Sequence, residues 1–534
     1  MKPKSFKLLF YLLFVGIVCF QKNVSASELS LIPWPQHIDI NEERLIINRN
    51  LLLVNSSGDN DIEQIINTCS NDLRDIGFSV DISGKQVNNT RSKSNKQVSN
   101  TRSKSGKQVS NPRGKTQILF FLEGSELNNY GEEGYKLEVG DNISLYAATS
   151  AGLFWGSRTV LQLLEQGPGI SIPQMDISDQ PVVKYRGLMI DVARSFHFLE
   201  FHLEMIKKMA YYKLNHYMIH FSDHQSYTLP TDIYPGLPTP GRHYLKEDIS
   251  KMVEMAKEYH VNIVPSVDVP GHSGALIRGI PELAFNEEGK LDVTKERTYE
   301  ILQNIFGELM ELFPGPVWHL GADEVGYPDL EDTPDEAYAE WMKRHKFSKG
   351  SQLLNHFINR MHDFIKGKGY QMFVWEGFKP DLYPKVNNEI IVCPFDVKHE
   401  GIMPEDYMRV GYKLLNTSWT PLYIADKIYM TTPEIMARWN IRMFGAGRSP
   451  HPIKYWKKFR PDEIITEVVG SQMCSWANEE KAEWGLLFGS EAGPGFPDYG
   501  RPGPRVQIFS ERVWTGDKTS VKDLLERAGV SYWE

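Results

Sequence analysis

Two rhythms of apolar and polar positions divide the chain. In the first, Leu45–Val54, Phe78–Ile82, Thr116–Leu122 and Gly134–Tyr146 are strand-length apolar runs, while Asp61–Ile76 and Ala148–Gln166 carry apolar residues at helical spacing. Ser171–Pro181 contains Pro173 and ends on a second proline, which predicts a linker out of this α+β unit. From Val182 onward, short apolar runs alternate with helical stretches. The runs are Tyr185–Val192, Asn215–Ser222, Val261–Val269, Val317–Gly321, Met372–Trp375, Ile390–Phe395, Tyr412–Thr417 and Val468–Trp476. Helical patterns at Glu200–Leu214, Lys246–Tyr259, Glu296–Phe313 and Ser351–Lys368 lie between several of them. Repeated strand-then-helix units predict an α/β chain, a (β/α)8 TIM barrel over 181–534 behind a small α+β domain over 27–180.

Two segments fall outside both rhythms. Lys2, Lys4 and Lys7 precede the apolar run Leu8–Phe20 and then Val24-Ser25-Ala26, the layout of a secretory signal peptide over 1–26. The run is short for a membrane span, and no later stretch qualifies as one. An exported protein in a periplasmic, surface or extracellular setting is therefore expected. Residues 85–117 repeat with a period of eleven: KQVNNTRSKSN, KQVSNTRSKSG, KQVSNPRGKTQ. That polar, basic tract is almost free of large apolar residues and reads as a low-complexity insertion in the first domain.

Composition narrows the function classes. Removing the leader takes four lysines from a chain of net charge −9, leaving −13. So acidic a protein is not suited to binding nucleic acid or anionic membranes non-specifically. The remaining Cys69, Cys393 and Cys474 are widely spaced and odd in number, so they form neither a disulfide framework nor a zinc-ligand pattern. His220 and His224 are four apart, but on a strand-to-loop segment that spacing does not bring them to one face, and no metal or other cofactor is expected.

Chemistry in such a barrel gathers where the strands end. The candidates are Arg186 on the first strand, Asp223 after the second, and Asp268 and His272 after the third. Asp323 and Glu324 follow the fourth, Trp375 and Glu376 the fifth, Trp419 and Tyr423 the seventh, and Trp476 and Asn478 the eighth. The densest stretch is VWHLGADEVGY at 317–327, an apolar run carrying a histidine that opens onto two adjacent carboxylates. Burial and mutual repulsion can hold a proton on one such acid near neutral pH. Arginine forks and indole faces suit a pyranose ring. Ordinary glycosidases place two carboxyls on opposite faces of the scissile bond, which sequence neighbours fit poorly. A sugar whose own 2-acetamido group attacks the anomeric carbon removes that difficulty.

HLGADE at 319–324 resembles the His-x-Gly-Gly/Ala-Asp-Glu motif of glycoside hydrolase family 20, the β-N-acetylhexosaminidases. KYRGLMIDVARSF (184–196), SDHQ (222–225), DVPGH (268–272), VWEGF (374–378), NTSWTPLY (416–423), SQMCSW (471–476) and SERVWTG (510–516) are similar to family segments and follow in the family's order. LIPWPQH at 31–37 looks like the start of that family's accessory domain. The resemblance implies a retaining exo-acting enzyme on N-acetylhexosamine-containing glycans, with Glu324 as general acid/base and Asp323 orienting the acetamido nitrogen. It further implies that Tyr423 binds the acetamido oxygen, Arg186 grips the O3 and O4 hydroxyls, and Trp375 and Trp476 wall the pocket. His272 with Asp223 would tune the proton affinity of Glu324 upward, and Trp419 and Asn478 would complete the sugar site.

The chain departs from the family pattern where O4, O6 and the leaving group would be read. His224 stands for an aspartate, Phe395 for a tryptophan, Asp426 is displaced by one residue, and Asn478 is uncharged. Alternatives therefore stay open: a disaccharide-releasing lacto-N-biosidase-like hydrolase, a glycan-binding protein without turnover, or a barrel hydrolase using Glu376 as nucleophile. Gluco against galacto preference and oligomeric state are not decided by these residues.

Overall fold

The computed structural model describes residues 29–57, 59, 62–83, 114–123, 127–285, 289–396, 402–425, 432–445, 457–458, 460–464, 466–476, 480–489 and 503–530. The leader expected at 1–26 and the repeat as far as residue 113 lie outside them, as do Asp426 and Asn478.

The first domain is a seven-stranded mixed sheet. Its strands are β1 (His37–Ile46), β2 (Asn50–Asn55), β3 (Ser79–Ser83), β4 (Thr116–Leu122), β5 (Tyr135–Val139), β6 (Ile143–Ala147) and β7 (Ser171–Asp179), in the order β1-β7-β5-β6-β4-β2-β3. Helices α1 (Glu63–Asp75) and α2 (Ser150–Leu163) pack on each other and on this sheet, and they also touch the first helices of the barrel. Helix α2 is therefore buried nearly all round. Two glycines allow its close approach: a Cβ at Gly152 would sit 2.3 Å from the Gly134 carbonyl oxygen, and one at Gly156 would sit 2.3 Å from Leu145 Cδ1.

Three expectations for this domain change. The predicted linker is β7, a strand inside the sheet between β1 and β5. Pro173 is tolerated because it faces Arg44 directly beside a bulge in β1, where a ladder N–H is dispensable. The run Leu45–Val54 breaks between β1 and β2. Gly134–Tyr146 is a hairpin, β5 against β6, turning through 140–142.

The second domain is a closed parallel barrel. Its eight strands are Tyr185–Asp191, His216–Ser222, Asn262–Val269, Val317–Gly321, Gln371–Trp375, Ile391–Cys393, Lys413–Asn416 and Val468–Ser475, and the eighth pairs with both the first and the seventh. Each falls on an apolar run of the sequence. Parallel strands covered on both faces favour unbroken apolar runs. Tyr185, Met189, Met218, Val264, Phe373, Cys393, Leu415 and Cys474 fill the interior as a cluster separate from the outer core.

Ionic contacts join the domains at the end of the barrel where the strands begin. Asp179, at the end of β7, accepts hydrogen bonds from Tyr135 (2.6 Å), Lys213 (3.0 Å), the Trp514 indole (2.9 Å) and the Gln36 backbone (3.0 Å). Arg186 belongs to this junction, which corrects its assignment to the sugar site. It is the second residue of the first strand, and its guanidinium holds both carboxylate oxygens of Glu133 at 2.7 and 2.8 Å. The same group donates to the Lys213 and Val183 carbonyls and lies 4.8 Å from the Trp514 ring centroid.

Candidate active site

The fourth strand ends in a strained loop. Gly321, Ala322 and Glu324 have φ of +84°, +74° and +47°, a region that disfavours side chains. Only glycine fits at 321, where a Cβ would lie 1.8 Å from Asp268 Oδ1. Asp268 sits beneath the loop, accepting the Ala322 N–H at 3.2 Å. Burial pushes its carboxyl well above the usual range, and the neighbouring Asp323 charge adds to the effect. Asp323 is also raised by burial, with Glu324 adding. Burial and the neighbouring acid thus favour the protonated form of Asp268.

A charge network positions these acids. Asp223 is buried and takes His220 Nε2 at 2.9 Å, Arg194 Nη2 at 2.6 Å and His272 Nδ1 at 3.3 Å. Burial opposes its charge, but the hydrogen bonds from His220 and His272 hold its carboxyl far below the usual range. His272 Nε2 lies 3.4 Å from Glu324 Oε2 and 4.0 Å from Asp323 Oδ2. Burial works against the imidazolium, yet hydrogen bonds to Asp223 and Glu324 and the charges of Asp268 and Asp323 push it up to about 12. A charged His272 favours the carboxylate of Glu324, so its service is to the state in which that acid has given up its proton.

Asp223, His224 and His272 each bring one ligand-type atom within 4.8 Å of the others. Both ring nitrogens of His272 are engaged by carboxylates, so a metal there would have to displace its proton.

Arg194 occupies the position that the sequence reading gave to Arg186. It lies past the end of the first strand, anchored to Asp191 at 2.7 Å and Asp223 at 2.6 Å, with its guanidinium 5.0 Å from the Trp476 ring centroid. The rule that chemistry gathers at strand ends would have selected it, since Arg186 stands at the strand's start. Asp191, His220, Asp268 and Phe395 also belong to the site.

Aromatic side chains wall the other side. Tyr423 stacks on Trp419 at 5.1 Å and lies 5.9 Å from Trp476 and 6.1 Å from Phe395. Trp375, buried, is 6.3 Å from Trp476 and 6.0 Å from Phe395. Asp323 Oδ1 is buried without a hydrogen-bond partner among the described residues, and so are the indole nitrogens of Trp375 and Trp476. Glu324 is half exposed, beside a cavity of about 340 Å³ lined by His224, His272 and Lys290. The structure thus brings together Asp223, His272, Asp323, Glu324, Trp375, Trp419, Tyr423 and Trp476.

Residues 183–484 match the glycosyl hydrolase family 20 catalytic domain, and residues 28–180 match domain 2 of that family. A β-hexosaminidase of Vibrio furnissii is 29% identical over 281 residues, 46% of this chain and 46% of that protein. A lacto-N-biosidase of Bifidobacterium bifidum is 24% identical over 345 residues, 61% of this chain and 30% of that protein. The chain spans less than half the length of either relative. The crystal structure of a family 20 exo-β-N-acetylglucosaminidase from Vibrio harveyi, in complex with N-acetylglucosamine, superposes with a TM-score of 0.71 at 20% identity, covering 93% of this chain and 75% of that one. With both of its domains matched and the acid pair set at the end of the fourth barrel strand, the chain belongs to glycoside hydrolase family 20.

Proposed function

We propose that this protein is an exo-acting β-N-acetylhexosaminidase that works through the substrate's own 2-acetamido group. The observation that carries the reading is the pairing of half-exposed Glu324 with Asp323, whose Oδ1 is buried beside the aromatic box and has no hydrogen-bond partner among the described residues. An amide N–H would satisfy that oxygen, and the Tyr423 hydroxyl can donate to the acyl oxygen from the facing wall. So oriented, the acyl oxygen attacks the anomeric carbon as Glu324 protonates the departing glycosidic oxygen. The C1–O bond breaks and an oxazolinium ion forms, its positive charge facing the Asp323 carboxylate. Glu324, now a base favoured by the His272 cation, takes a proton from water as the water opens the ring at C1. The β configuration is retained. Arg194, held by Asp191 and Asp223, presents its remaining N–H groups to ring hydroxyls.

Glu376 is not suited to be an enzyme nucleophile. It is almost wholly buried, its Oε1 is bound to two backbone N–H groups, and burial raises its carboxyl well above the usual range. Release of a disaccharide is a second reading, supported by the lacto-N-biosidase likeness. Export is part of the proposal, resting on the basic and apolar opening of the sequence, and cell fractionation tests it.

The deciding experiment is hydrolysis of a chromogenic β-N-acetylglucosaminide beside the matching β-glucoside. Cleavage of the first alone is expected, and equal cleavage of both would overturn the acetamido mechanism. Inertness toward both, with a disaccharide released from an oligosaccharide, would favour the second reading.

A further inference from the structure

Glu376 follows Trp375 at the end of the fifth barrel strand, and 1% of it is exposed. Its Oε1 accepts the backbone N–H groups of Phe395 at 3.2 Å and Asp396 at 2.5 Å, just past the end of the sixth strand. Its Oε2 is buried and has no hydrogen-bond partner among the described residues. A carboxyl this deep, near Asp396 and Asp323, keeps its proton, because burial and like charge outweigh the two N–H bonds.

The backbone it holds carries one wall of the aromatic box. The Phe395 ring lies parallel to Tyr423, 13° between planes, and edge-on to Trp375. The Phe395 carbonyl accepts the Trp419 N–H at 2.6 Å, which extends the linkage to the seventh strand's loop. One side chain therefore fixes the spacing between Trp375 on one strand and Phe395, Trp419 and Tyr423 on the next two loops. Proton retention also keeps a second negative charge away from Asp323, whose own charge would otherwise be harder to sustain.

We propose that Glu376 is a positioning residue that sets the depth of the acyl pocket by clamping the Phe395–Asp396 backbone, and so determines which N-acyl groups the site accepts. This rests on reading the aromatic box as the acetamido pocket. Without the clamp, Phe395 can withdraw and a longer acyl chain enters.

The test uses the whole chain and chromogenic β-glycosides of N-acetyl- and N-propionyl-glucosamine. One added methylene in a fitted apolar pocket is worth about 10–200-fold, so the wild type favours N-acetyl by roughly that factor. Glu376→Gln keeps an acceptor oxygen without charge, and its acyl preference stays within about threefold of wild type. Glu376→Ala raises KM for the N-acetyl substrate and narrows the preference by about tenfold or more. An unchanged preference in Glu376→Ala overturns the proposal, and so does a loss of preference in Glu376→Gln. Should the alanine variant not fold, Glu376→Asp, one methylene short of the Phe395 and Asp396 N–H groups, takes its place, and an unchanged preference there overturns the proposal. Failure of the underlying mechanism shows separately, as wild-type cleavage of the β-glucoside.

Discussion

Arg186 and Arg194, eight residues apart, provide a direct test of how the barrel is used. Arg186→Met keeps an aliphatic stem but removes a guanidinium that donates to Glu133, Lys213 and Val183 within 2.9 Å. It leaves Glu133 without its cation in a site where 20% of that side chain is exposed. Breaking a buried ion pair from one side costs about 3–5 kcal/mol, and the partial exposure favours the lower end, about 3 kcal/mol. A chain of this size loses roughly 1 kcal/mol of stability per degree near its midpoint, so calorimetry should show Tm lower by about 3 °C. Adding Glu133→Gln should recover part of the loss, because the uncompensated charge is gone. Turnover measured well below Tm should stay within about threefold of wild type, since nothing at the strand ends has moved. Arg194→Met is expected to lower kcat/KM by about a hundredfold, the worth of one or two charge-assisted hydrogen bonds to sugar hydroxyls. If Arg186→Met lost turnover by that factor with Tm unchanged, the assignment of Arg186 to the junction would be refuted.

Further expectations concern the acids. Glu324→Gln should lose about 10²–10⁴ in kcat/KM, which reports C1–O cleavage, on a natural glycan, and far less on an aryl glycoside whose leaving group needs no proton. Equal losses on both would remove Glu324 from the role of acid. Asp323→Asn should lose turnover on both substrates, and near-normal rates would sink the acetamido assignment. Asp268 keeps its proton in the fold, whereas an unfolded aspartate loses it near about pH 3.9. Its contribution is therefore complete below that pH and is lost as pH rises toward the folded value. Wild-type Tm should decline as pH rises above about 3.9, and Asp268→Asn, which cannot ionise, should flatten the decline. Gly321→Ala drives a Cβ into Asp268 at positive φ, so a soluble variant with wild-type activity would contradict the described loop.

The eight barrel strands were legible because unbroken Val/Ile/Leu-rich runs leave few other structures open to them. The Asp323–Glu324 pair was legible for a related reason: two acids at the mouth of a buried strand are costly unless used. Arg186 misled because a residue on a strand was read without asking which end of the barrel it occupies. Pro173 misled because proline punctuates most sequences, while a bulge in the partner strand, invisible from β7 itself, makes room for it. The parts played by Asp268 and Glu376 depend on which acid or backbone stands opposite, and only closure of the barrel brings those partners together. Phe395 and Trp419 were legible as aromatic residues, but their common wall was not.

The ionic junction has a consequence for how the protein can evolve and be handled. Lys213 is buried and its ammonium is lowered by that burial, with Asp179 of the first domain as its counterweight. Arg186 depends in the same way on Glu133. A barrel expressed from residue 181 would therefore begin life with two cations stripped of their carboxylate partners. The N-terminal domain thus acts as an intramolecular counter-ion, and the two units should melt in a single transition. Gene rearrangements that separate them would have to replace both cations at once.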